Sequence, residues 1–141
     1  MINRTFICLE GMFMYLAIDI VMAMLDEEEW FTKEIDQSKI TNKKTSVMTI
    51  FEILKINSET GVSHYDLLSL LNEKYIEVVS FTPKMIDGVQ SILDKYFDLF
   101  DIGSLNSIHV AHSISLDEPI VSTNPMCDYL DEIEHFDPRK L

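Results

Sequence analysis

The sequence predicts an α/β fold: a central parallel sheet of about five strands with helices on both faces. Three observations predict it. Short β-rich or wholly apolar runs, such as Thr5–Leu9, Tyr75–Phe81 and Pro119–Ser122, alternate with stretches of helical spacing. The run Thr5–Leu9 shows no polar alternation, which suits a strand buried on both faces. The 141 residues show no internal repeat, linker or break in composition, which fits one domain over 1–141. Strands separated by helices imply crossovers, and crossovers imply a parallel sheet.

The elements follow in order. Thr5–Leu9 reads as a strand ended by Glu10-Gly11, and Met14–Leu25 as a buried helix. Asp26–Glu29 opens a second helix running to about Gln37, because acids favour a helix N-terminus. Lys44–Val47 is a short strand. Thr49 caps a helix over Ile50–Asn57, with Glu52 as the partner acid in its first turn. After the turn Ser58–Gly61, Ser63 caps a helix reaching Asn72. Tyr75–Phe81 is rich in β-formers. Thr82-Pro83 opens a helix carrying Ile86, Val89, Ile92, Leu93 and Tyr96 on one face. Asp98–Gly103 is a loop, and a helix runs from Ser104 or Leu105 to Leu116. Pro119–Ser122 and Glu134–Phe136 complete the strands.

Charge and composition exclude several functions. The chain carries 24 acidic and 11 basic residues, a net charge of −13. Its only arginines are Arg4 and Arg139, and the densest basic group is Lys39, Lys43 and Lys44. Duplex DNA binding needs clustered Lys and Arg, so it is not expected. An acidic protein can still act on nucleic acid where carboxylates hold metal ions, because the metal reverses the local field. At 47% hydrophobic residues the chain is not disordered. Cys8 and Cys127 form no CxxC pair, which excludes a disulfide scaffold and a zinc knuckle. The apolar stretch Met12–Leu25 is interrupted by Asp19 and falls short of the ~20 residues of a membrane span. A cytoplasmic location without membrane attachment follows.

Several segments, in order, resemble the PIN-domain family of metal-dependent ribonucleases, and the small VapC-like toxins of toxin–antitoxin pairs above all. Leu105–Ser113 (LNSIHVAHS) resembles the family's D-A-x-H-x-A-x-A helix. Pro119–Asn124 (PIVSTN) resembles its strand ending in S-T-D or T-x-D. Asp128–Leu130 through Phe136-Asp137-Pro138 is similar to its tail, and Thr45–Leu54 (TSVMTIFEIL) to T-S-x-x-T-x-x-E-x-L. Phe6–Leu16 (FICLEGMFMYL) stands where the family has a hydrophobic run followed by D-T-N. The resemblance spans nearly the whole chain, although Ser58–Phe97 contributes no motif. It implies a three-layer PIN-like fold whose first strand is central. It also implies a site at the carboxyl edge of the sheet, where four acids hold Mg²⁺ or Mn²⁺ to cleave single-stranded RNA.

Carried over residue by residue, the four positions are Glu10, Glu52, Asn106 and Asn124. Only Glu52 matches the family. Glu10 replaces an Asp, and Gly11 and Met12 replace the Thr and Asn that follow it. Asn106 and Asn124 replace two Asp residues, so two carboxylates have become neutral amides. Mg²⁺ sheds water reluctantly and relies on carboxylates, and a shifted carboxylate is poorly tolerated in phosphoryl chemistry. Asp101 and Asp128 are candidate substitutes, each near one of the lost acids. Asn124 before Pro125 is also a plain helix-start signal. His109 and His112, three apart on one helix, have the spacing to share a metal, but no third ligand is placed beside them.

Two readings of function follow. One is a catalytically silent PIN-like domain kept for homodimerisation or for binding an antitoxin or other protein, with no cofactor required. The other is an active toxin ribonuclease with an altered Mg²⁺ or Mn²⁺ site, for which RNA is a partner only if that site works. The amide substitutions and the shortage of Lys and Arg favour the first.

Overall fold

A computed structural model describes residues 11–61, 66–96 and 103–140, with the side chains of 103–106 outside that description. The strand expected over Thr5–Leu9, the cap at Ser63 and the loop Asp98–Gly103, Gly103 apart, lie outside the described residues, as do Glu10 and Asp101.

Five strands form one sheet: β1 Met14–Leu16, β2 Lys43–Ser46, β3 Glu77–Val79, β4 Ile120–Val121 and β5 His135–Phe136. Their spatial order is β3-β2-β1-β4-β5, and every pairing is parallel. The first described strand is therefore central, with the order reversing between β1 and β4. Among the described residues, six α-helices connect the strands: α1 Ile18–Leu25, α2 Glu29–Glu34, α3 Val47–Thr60, α4 Leu67–Glu73, α5 Ile86–Tyr96 and α6 Gly103–Leu116. Short 3-10 turns follow at Gln37–Lys39, Pro83–Met85, Pro125–Tyr129 and Pro138–Lys140. No helix among the described residues is long and apolar enough to cross a membrane.

The central strand shows why helices are needed on both faces. Met14, Tyr15 and Leu16 are all fully buried. Side chains alternate along a strand, so Met14 and Leu16 join one core while Tyr15 joins another. The first core takes Ile20, Val21 and Met24 of α1, Phe31 of α2, Ile53 of α3 and Leu71 of α4. On the other face, Ile92 and Tyr96 of α5 pack with Val110 of α6 and with Leu130. Met14 and Met24 are buried in the first core, and Met12 and Met22 pack against it, so the clustered methionines fill the interior.

Two local expectations are corrected. Met14–Leu16 is strand, and the helix begins only at Ile18. The run from Met12 to Leu25 is apolar apart from Asp19, so its pattern carries no period to mark the change. Second, α3 starts at Val47, before the expected cap Thr49. Ser46 is the cap, accepting from the Met48 N–H at 3.0 Å. Thr49 is buried inside the helix, 2.8 Å from the Thr45 hydroxyl. The helix ends where Gly61 turns left-handed at φ 72, its N–H bonded to Asn57. There glycine avoids the Cβ strain that other residues meet.

Candidate functional site at the carboxyl edge of the sheet

In a parallel sheet all strand C-termini share one edge. Here β1 delivers Ala17, β2 delivers Ser46 and β4 delivers Ser122 to it. At the point where strand order reverses lies a cavity of about 160 Å³. Ala17, Ile18, Asp19, His109, Ser122, Thr123, Asn124 and Cys127 are among its lining residues. A crevice at this place is the usual ligand position of an open α/β sheet.

The residue leaving the central strand is Ala17, which is 8% exposed and caps α1 without any side-chain bond. Asp19 follows in the first turn of α1. Its carboxylate accepts from the Thr123 N–H (2.7 Å), the Thr123 hydroxyl (2.7 Å) and the Ser122 hydroxyl (3.2 Å). This ties α1 to the end of β4. Asp19 was not among the residues singled out by sequence as site residues. Its only signal was a lone acid inside an apolar run, where a charge is costly unless paired.

Glu52 sits on α3 with its side chain 11% exposed. Its Oε1 lies 2.6 Å from His109 Nε2 on α6. The other ring nitrogen, Nδ1, lies 2.5 Å from the Tyr15 hydroxyl on β1. Burial pushes the Tyr15 phenol well above its ordinary value. The hydroxyl therefore keeps its proton and donates to Nδ1. The hydrogen-bond network then assigns the imidazole hydrogen to Nε2, which donates to Glu52. Three elements thus converge in one buried chain, Tyr15–His109–Glu52. Sequence spacing did not reveal it, because the three residues are 94 and 57 positions apart.

The remaining predicted residues are placed separately. Asn106 lies within α6, and its side chain is outside the described set. Asn124 lines the cavity, but its side chain accepts from the Met126 N–H at 3.0 Å and caps the 3-10 turn Pro125–Tyr129. Asp128 does not line the cavity. It is half exposed and bonds His135 Nδ1 at 2.8 Å. His109 and His112 do not converge on a common point. His112 Nε2 donates instead to the Ser80 carbonyl at 3.0 Å, and burial lowers its pKa. Among the described residues, no three His, Cys, Asp or Glu side chains gather as a metal-binding group.

No protein-family profile matches the sequence, and no curated protein does. Solved structures do match. The chain is similar to one in the VapBC2 structure from Rickettsia felis bound to a DNA fragment from their promoter. That match has a TM-score of 0.69 and 14% identity, over 89% of this chain and 98% of that one. It is similar to one in a toxin–antitoxin complex from Klebsiella pneumoniae, with a TM-score of 0.65 and 10% identity over 88% and 96% of the two chains. A third match is DNA-bound VapBC from Salmonella typhimurium, at a TM-score of 0.67 and 12% identity over 89% and 98%. At such identities the likeness is one of fold. The chain has the PIN-like, VapC-like α/β fold that its sequence motifs resemble.

Proposed function

We propose that this protein is a PIN-fold relative of the VapC-like ribonucleases that no longer cleaves RNA through a metal ion and serves instead as a protein-binding partner. The observation that carries this reading is the buried Tyr15–His109–Glu52 chain. The one carboxylate that matches the family motif is occupied by an imidazole. The residue leaving the central strand, Ala17, offers no side-chain ligand atom. Asp19 already accepts bonds from Ser122 and Thr123, and Asn124 is neutral and caps a turn. This donor set does not fit Mg²⁺ or Mn²⁺, which rely on carboxylates with free oxygens. An antitoxin-like partner is consistent with the complexes in which the similar chains occur. A second copy of this chain is the other candidate partner.

The test is a ribonuclease assay on single-stranded RNA with Mg²⁺ or Mn²⁺, run beside thermal melts. The expected result is no metal-dependent cleavage and no rise in melting temperature with millimolar Mn²⁺, since a bound ion stabilises the native state by mass action. Cleavage by the wild type that disappears in Glu52→Gln would overturn the proposal in favour of an active toxin ribonuclease. Restored cleavage in the combined variant Ala17→Asp/Asn106→Asp/Asn124→Asp would show a disabled site on an intact scaffold.

A further inference from the structure

His135 on β5 is buried, its side chain 2% exposed, and both of its ring nitrogens meet oxygen acceptors. Nδ1 lies 2.8 Å from Asp128 Oδ1 on the turn Pro125–Tyr129. Nε2 lies 2.7 Å from the Ser122 carbonyl just after β4. A carbonyl oxygen only accepts, so Nε2 carries hydrogen. An ionised carboxylate also only accepts, so the Nδ1 contact needs a hydrogen of its own. A neutral imidazole has a single N–H and cannot make both bonds. The arrangement therefore holds one proton more than a neutral histidine beside an ionised aspartate. The other described histidines differ: His109 receives the Tyr15 hydroxyl on Nδ1, and His112 Nδ1 has no partner, so each needs one ring hydrogen. We propose that His135 is a proton-operated latch, which fastens the turn Pro125–Tyr129 to β5 while the extra proton is held and releases it when the proton leaves.

The latch bears on the carboxyl-edge cavity. Ser122, Thr123, Asn124, Met126 and Cys127 line that cavity. Besides its bond to His135, Ser122 donates its N–H to the Phe136 carbonyl at 3.1 Å and its hydroxyl to Asp19, and accepts from the Asn124 N–H at 3.0 Å. Asp128 follows Cys127 directly, does not line the cavity, and has its carboxylate engaged by the ring. One arm of the latch thus grips the strand end and the other grips the turn. The two arms are unequal. The Asp128 side chain is 47% exposed and is rehydrated when it lets go, whereas the Ser122 carbonyl bond is buried. Loss of the proton therefore opens the Asp128 arm, and the turn is what it frees.

Charged and titratable groups surround the latch on each packed element. Asp128 and Cys127 stand on the turn, Asp19 of α1 reaches Ser122, and Glu134 precedes the ring on its own strand. Arg139 donates to the Thr123 carbonyl and is itself held by Asp137. Carboxylates outnumber the guanidinium, a setting that suits a cation on the ring. The sign follows: the stability supplied by the latch is present while the proton is bound and is lost as pH rises.

The test is a ring nitrogen–proton NMR correlation on the full chain, stepped from about pH 5 to about pH 9, across the range in which histidine changes charge. The His135 signals are assigned through its β-carbon, so no histidine is replaced. Two ring hydrogens are expected at the acid end and one, on Nε2, at the alkaline end. The backbone amides of Met126 to Leu130 should move in the same step. In Asp128→Asn, a change at a half-exposed position, the amide group can donate to a bare Nδ1, so the bond survives without the proton. The step is then expected about one pH unit lower, as loss of one charge-assisted hydrogen bond implies. A single ring hydrogen throughout would overturn the proposal. So would a titrating ring with unmoved amides, or the same midpoint in Asp128→Asn as in the wild type.

Discussion

The Tyr15–His109–Glu52 chain makes a quantitative prediction through Tyr15→Phe. Phenylalanine keeps the ring, which packs 5.7 Å from the His109 ring and 5.4 Å from the His112 ring. Only the hydroxyl is lost. His109, 3% exposed, is left with Nδ1 lacking a donor where water does not reach easily. Leaving one buried polar atom unsatisfied costs about 1–3 kcal/mol. Unfolding entropy near the midpoint is roughly 2.1 cal/mol/K per residue, so for 141 residues it comes to about 0.3 kcal/mol/K. The melting temperature should therefore fall by about 3–10 °C in a calorimetric scan. A fall of less than about 1 °C would refute the buried hydrogen bond. A nitrogen–proton NMR correlation on the wild type gives an independent check. It should show hydrogen on His109 Nε2, and hydrogen on Nδ1 would reverse the assigned direction of the chain.

Two further outcomes are expected. Burial lowers the His112 pKa, with the Ser80 carbonyl opposing and His109 adding to the effect. The unfolded chain therefore takes up a proton near the ordinary histidine value of 6.5 before the native chain does. Stability contributed at His112 is full above that pH and is lost as pH falls below it. Urea melts at stepped pH should show a gentler acid decline in His112→Gln, and an unchanged slope would contradict the burial argument. Burial, aided by Asp19 and Asp128, pushes the Cys127 thiol up to about 12. In a Cys8→Ser background, a thiol reagent at pH 8 should label the native protein slowly and the denatured protein at once. Prompt native labelling would show the side chain to be open to solvent.

The strand–helix alternation was legible because periodicity and turn chemistry agreed. Thr82-Pro83 opens the turn leading into α5, Gly61 closes α3, and Asn124-Pro125 begins the turn that Asn124 caps. The motif over Thr45–Leu54 also placed Glu52 on the helix that follows a strand, but Glu52 lies in the second turn and bonds His109, not in the first turn as the expected capping partner. The end of the central strand was not legible. An apolar run broken only by Asp19 reads alike as buried strand and buried helix, so nothing in it marks Ala17 as the position handed to the site. The partners of Glu52 were hidden for a different reason. Hydrogen bonds between residues far apart in the chain leave no spacing to read, and only the parallel crossovers bring Tyr15 and His109 to it.

The strands are short, and that has a mechanical consequence. β1 has three residues, about 10 Å of chain at roughly 3.3 Å per residue. Phe13, half exposed, and Ala17, buried, flank this buried strand, which has Tyr15 at its middle. Only three residues, hydrogen-bonded to strands on both sides, separate the amino end from the opposite end. A Phe13→Ala change at the amino end is thus expected to register in the Tyr15 and His109 resonances. The Tyr15–His109–Glu52 network would then report at one edge of the sheet what is altered at the other.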